Sequence, residues 1–109
     1  MIPGLNKNEF LRIRRSLSDA RELLDSGHPK SALTELRPAK KLLESQKEPL
    51  RAGALLYLLE GEIYNTLHQP DKALNCLNHA IEVLDLLQDT DQDLRSQIEN
   101  QKKAAAHSA

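Results

Sequence analysis

The sequence predicts an all-α protein: an antiparallel stack of about five helices, folded as hairpins. Three observations predict it. Apolar residues return at helical spacing in segment after segment, with polar residues on the opposite faces. Proline and glycine fall between those segments, at positions that start or stop helices. Leucine dominates the apolar set, aromatic residues are only 3% of the chain and β-branched residues are few, which suits helix-on-helix packing and disfavours a sheet. A chain of 109 residues makes one domain with a small core.

Residues 1–6 form an irregular lead-in containing Pro3 and Gly4. Asn6 followed by Glu9 is a capping pair, because each side chain can serve the other residue's backbone N–H. The first helix then runs from about Lys7 to Ser26, with Phe10, Ile13, Leu17, Ala20 and Leu24 on one face and Leu23 widening it. Gly27 ends it, since only glycine enters the left-handed region freely. Pro29 opens the second helix, Lys30 to about Gln46, whose apolar set is Ala32, Leu33, Leu36, Ala39, Leu42 and Leu43. Pro38 lies inside it and predicts a kink rather than a break, because the apolar phase continues past it.

Residues Lys47 to Gly53 separate the second helix from the strongest part of the pattern. The favoured reading is that Pro49 opens the third helix early, as Leu50 keeps the apolar phase; a loop is the alternative. The stretch Ala54 to Leu87 then reads as two helices back to back. Leu55, Leu56, Leu58, Leu59, Ile63, Tyr64 and Leu67 line one, and Ala73, Leu74, Leu77, Ala80, Ile81 and Leu84 line the other. Pro70 starts the second of them. Gly61 sits inside the first, where a glycine costs about 1 kcal/mol relative to alanine. Close approach of the next helix is the simplest reason for it. Thr90 with Asp93 is expected to cap a fifth helix, about Asp91 to Ala105, with a thin stripe of Leu94 and Ile98. The tail, 106–109, is expected to fray.

Residues 54–87 resemble a tetratricopeptide repeat, the 34-residue helix–turn–helix unit. Tyr57, Gly61 and Tyr64 stand at that family's aromatic, glycine and tyrosine positions, and Ala73, Leu77 and Ala80 at its second-helix positions. Glu60 replaces the family's usual leucine and Asp85 its usual proline. A more diverged copy is visible 41 residues earlier, over 13–46. Ala32, Leu36 and Ala39 fall on Ala73, Leu77 and Ala80, Ala20 falls on Gly61, and both turns share a Pro-x-x-Ala-Leu pattern. The polar helix over 91–105 resembles the cap that ends such arrays. The resemblance implies two repeats and a cap, and a module that binds other proteins.

Composition narrows the function classes. No apolar run reaches the ~18 residues of a membrane span, and the start lacks the apolar core of a signal peptide. Cys76 is the lone cysteine, so a reducing, cytoplasmic setting is expected. No glycine-rich phosphate loop and no cluster of nucleophile, base and acid stands out, so no catalysis and no cofactor are expected. Cys76 and His79 lie one helical turn apart, but two ligands do not make a metal site. Arg12, Arg14, Arg15 and Arg21 form a modest basic cluster, diluted by Glu9, Asp19, Glu22 and Asp25. A nucleic-acid reader is therefore the weaker alternative.

Net charge is −1, unevenly spread: residues 1–51 carry +4 and residues 52–109 carry −5. Such polarity can steer a partner, favour head-to-tail self-association, or be a solvated surface and nothing more. By the resemblance, the first helix of each hairpin lines a concave groove. Carried over residue by residue, that groove is Arg14, Leu17, Arg21, Leu24 and Asp25 from the first unit, with Leu55, Leu58, Glu62, Asn65 and Thr66 from the second. It implies a partner peptide or helix with apolar anchors and acidic residues. Leu55 and Leu58 have a second reading, as core residues covered either by the extra residues between the two units or by the last helix.

Overall fold

The computed structural model describes residues 4–107, and they form five α-helices with no strand among them. These are α1 (Lys7–Asp25), α2 (Pro29–Glu44), α3 (Arg51–Thr66), α4 (Pro70–Leu86) and α5 (Gln92–His107). Expectations for residues 1–3 and 108–109 lie outside the described residues. The closest packing is within the pairs α1–α2 and α3–α4. The pairs then join through α2–α3 and α1–α3, and α5 lies against α4 and α3.

Local chemistry sets the helix ends. Asn6 and Glu9 form the reciprocal box, with Glu9 N–H donating to Asn6 Oδ1 at 2.8 Å and Asn6 N–H to Glu9 Oε1 at 3.0 Å. Three helices finish in the same way. Gly27 (φ 85°), His68 (φ 59°) and Gln88 (φ 54°) take the left-handed conformation. In each case the next residue's N–H returns five positions, His28 to Leu23, Gln69 to Tyr64 and Asp89 to Leu84. These bonds satisfy carbonyls that the helix end would leave orphaned. Pro29 and Pro70 then open α2 and α4.

Four expectations at the boundaries change. The third helix does not open at Pro49: Leu50 is its extended N-cap and residues 45–50 are a loop. The fifth helix is capped by Asp91, whose Oδ1 accepts from Leu94 N–H at 3.0 Å, rather than by Thr90. It stays helical to His107, beyond the expected end at Ala105. The second helix ends at Glu44 rather than about Gln46, while it does continue through Pro38 without a break, as expected.

The core has two halves that meet on α3. One joins Ile13, Ala20, Ala32, Leu36 and Ala39 to Leu56, Leu59 and Ile63. The other joins Ala54 and Leu58 to Leu77, Ala80, Leu84, Leu94 and Ile98. Each fully buried leucine or isoleucine contributes about 1.5–3 kcal/mol. Gly61 lies where α3 and α4 come closest, and a Cβ there would sit 2.6 Å from Leu77 Cδ2 and 2.7 Å from its Cγ.

α5 begins one 41-residue period after α3 but turns a different stripe inward. On α3, Leu56, Leu59 and Ile63 meet the preceding pair. Their register equivalents on α5, Gln97, Asn100 and Ala104, are exposed, while Leu94, Ile98 and Ala105 are buried. The outer flank of α1 is polar as well, with Arg15, Ser18 and Glu22 exposed at the positions of those same three residues. Both outer flanks of the stack thus carry mostly polar side chains where its middle carries leucine and isoleucine, although Leu11, one turn before Arg15, is 51% exposed.

Candidate functional site

The carried-over groove divides into three groups. Arg14 and Leu55 are exposed, and Leu17 and Leu24 are half-buried against the first core half. Arg21 and Glu62 face the same side but engage each other across α1 and α3 at 2.6 Å, with Asp25 3.8 Å from the Arg21 guanidinium. The Glu62 bond raises the Arg21 pKa further above its ordinary value. The two remaining positions do not face a groove. Leu58 is 4% exposed and belongs to the core beneath α5. Asn65 is half-buried, and its Nδ2 donates to Gln101 O at 3.0 Å and to Gln101 Oε1 at 2.9 Å. Helix α5 covers both, which is the second reading that the sequence allowed for Leu58. Leu55 stays 38% exposed. The open face on α1 and α3 is therefore Arg14 and Leu55 with half-buried Leu17 and Leu24, rimmed by the Arg21–Glu62 pair and by exposed Thr66.

The charge asymmetry between the two halves of the chain is largely spent inside the fold. Arg21 meets Glu62, Lys40 meets Glu60 at 3.1 Å, and Arg51 meets Asp89 and Asp91, the latter at 2.6 Å. Each of these pairs joins a base of the first half to an acid of the second. The backbone N–H groups of Asp91 and Leu94, and then Arg51, hold the Asp89 and Asp91 carboxyls respectively below their ordinary values. Arg12, Arg14 and Arg15 take no part in an ion pair among the described residues.

On the opposite side of α3 lies a cluster that the pattern reading did not assemble. α2 and α4 keep their backbones apart, with no Cα of one within 8 Å of the other, and α3 forms the floor between them. Glu60 is buried in that floor, at 4% exposure. Lys40 of α2 pairs with its Oε2, and the Cys76 thiol of α4 donates to its Oε1 at 3.8 Å. Burial pushes the Glu60 carboxyl above the ordinary carboxylate range, while Lys40 and the thiol pull the other way. Burial alone draws the Lys40 ammonium down, but Glu60 more than offsets it and the net direction is up. Burial, then the Glu60 charge, pushes the Cys76 thiol up to about 12. At neutral pH that thiol stays protonated and is a poor nucleophile.

Two ring contacts flank the cluster. His79 packs on Tyr57 with ring centroids 5.3 Å apart, and Lys72 Nζ lies 5.7 Å from the Tyr64 ring centre. Cys76 and His79, one turn apart, therefore turn to different neighbours. Among the described residues no group of three or more His, Cys, Asp and Glu is placed to hold a metal ion, and no helix is long and apolar enough to cross a membrane. A signal for this cluster existed in the sequence: Glu60 directly follows the apolar run Leu55–Leu59, at a position where the resemblance expects leucine.

Compared with known proteins, the chain matches no family model, no curated protein and no solved structure.

Proposed function

We propose that this chain is a non-catalytic protein-interaction module, related in design to tetratricopeptide repeats, which holds a partner peptide or helix against the α1–α3 face. One observation carries the reading. Arg14 and Leu55 hold the same register position on two touching helices, and both stay exposed, the arginine without an ion pair. A free guanidinium next to apolar surface suits a partner that brings an acidic group beside an apolar anchor. Leu17 and Leu24 extend the apolar part. Arg21 and Glu62 bound it and are already occupied with each other.

The polar cluster around Glu60 supports the same class of function. Its carboxylate is paired, its thiol is protonated, and its lysine is charged, so each group is held in a state suited to packing rather than to proton or group transfer. Self-association through oppositely charged ends draws less support. The opposite charges pair across the two halves within one molecule.

The test is a titration of a partner purified from a cell extract against three proteins. Arg14→Glu with Leu55→Asp should weaken binding about tenfold or more, and less so as salt rises through the screening range. Lys41→Glu on the exposed side of α2 should bind as the wild type does. Equal affinity for all three proteins rejects the α1–α3 face.

A further inference from the structure

The space between α2 and α4 is a groove with two chemically different ends. At one end is a hollow of about 250 Å³, with Lys40 on one wall, Lys72 and Asn75 on the other, and Tyr64 in the floor. At the other is a hollow of about 350 Å³ walled by Leu43, Val83 and Leu86. The two share Glu44 and Tyr57, so they form one continuous trough. Leu86 is 72% exposed, the most exposed large apolar side chain described. Gly53 lies in the floor beneath it, and a Cβ built there meets nothing within 4 Å. A floor glycine with empty space above it leaves room for a side chain from outside.

We propose that this trough is a second docking site, independent of the α1–α3 face, and that its occupant is an amphipathic helix of a partner protein. That helix places a large apolar side chain over Gly53 and an acidic residue beside Lys72. The occupant follows from the charges and shapes of the two ends. Glu60 lies below the surface and is paired with Lys40, so the accessible charge at the Tyr64 end is the Lys72 ammonium together with the outer part of Lys40, which is 37% exposed. The Tyr57 and Tyr64 hydroxyls and the Asn75 amide make no hydrogen bond within the described residues, so they are available to an acidic or amide side chain. Along α4 the apolar end at Val83 and the basic end at Lys72 stand about three helical turns apart, roughly 16 Å. A helix laid along the trough matches both ends when its apolar anchor and its acidic residue have that same spacing. Glu44, midway, excludes a second acid there and favours a neutral or basic residue.

The experiment is an NMR titration of the isotope-labelled protein with two synthetic helix-forming peptides. One carries leucines in its first two turns and glutamates three turns on; the other has lysines in place of the glutamates. The expected result is saturable shifts at Gly53, Tyr57 and Tyr64 with the first peptide only. Lys72→Glu should weaken that binding about tenfold, and Gly53→Leu, which fills the notch, should abolish it. Gly53→Ala is the milder variant, with intermediate loss, and a thermal melt of each variant confirms that the fold is kept. Arg14→Glu should leave this binding unchanged, which separates it from the α1–α3 face. Shifts that gather at Arg14, Leu17 and Leu55 instead of at Gly53, Tyr57 and Tyr64, equal binding of both peptides, undiminished binding by folded Gly53→Leu, or no saturable shifts at millimolar peptide each overturn the proposal.

Discussion

Gly61 is the point where a single added methyl group tests the packing most directly. Its Cβ would lie 2.6 Å and 2.7 Å from two carbons of Leu77, a side chain at 0% exposure. Overpacking of this kind costs about 1–3 kcal/mol, while replacing a mid-helix glycine by alanine returns about 1 kcal/mol. Gly61→Ala should therefore range from neutral to about 2 kcal/mol destabilising, and Gly61→Leu should be far worse. The background decides the sign. Leu77→Ala alone should cost about 2–5 kcal/mol, by opening a cavity. In that background Gly61→Ala meets no obstruction, and its helix propensity should stabilise by about 1 kcal/mol. The double-mutant cycle should thus show a coupling of about 1–3 kcal/mol, within the range for side chains in contact. Urea unfolding followed by far-ultraviolet circular dichroism gives the four midpoints. If Gly61→Ala stabilises equally in both backgrounds, α3 and α4 do not meet at this position, and the account of the hairpin is wrong.

Further outcomes follow from the ion pairs and the last helix. Lys40→Met strands a buried carboxylate and should cost up to about 3 kcal/mol at pH 7. The cost should shrink as acidification protonates Glu60, as denaturation midpoints at pH 7 and pH 5 would show. Glu60→Leu should be near neutral by the same measurement, because Lys40 is partly exposed and can turn its ammonium to solvent. Asp89 and Asp91 have folded-state values below their unfolded ones. Their contribution is therefore complete above the ordinary value of 3.8 and is lost as pH falls below it. Amide protection factors in α5, taken relative to the intrinsic exchange rate at each pH, should fall on acidification, and Arg51→Ala should reduce that pH dependence. Removing residues 91–109 should expose Leu58, Leu84 and Ala54 and drive association, seen by light scattering; a truncated chain as monomeric and stable as the parent would mean that α5 covers nothing essential.

The sequence by itself determined which segments become helices and several of the points where they start and stop. Those outcomes rest on contacts between neighbours in the chain: the Asn6–Glu9 box, the proline starts at 29 and 70, and the reversal at Gly27. The small residue at 61 announced a close approach for the same reason, since a mid-helix glycine is unfavourable unless a neighbour needs the space. Which side of each helix faces what was decided by the tertiary structure. Leu55 and Leu58 are equally apolar and one turn apart, yet only Leu58 lies where α5 lands. Arg14 and Arg21 share a face and a charge, yet Glu62 reaches only Arg21. The trough between α2 and α4, with Lys40 and Cys76 converging on Glu60, joins three helices through residues 16 and 20 positions apart. Helical periodicity records the direction of a side chain around its own axis and carries no information about the neighbour placed there, so such a site exists only once the helices have packed.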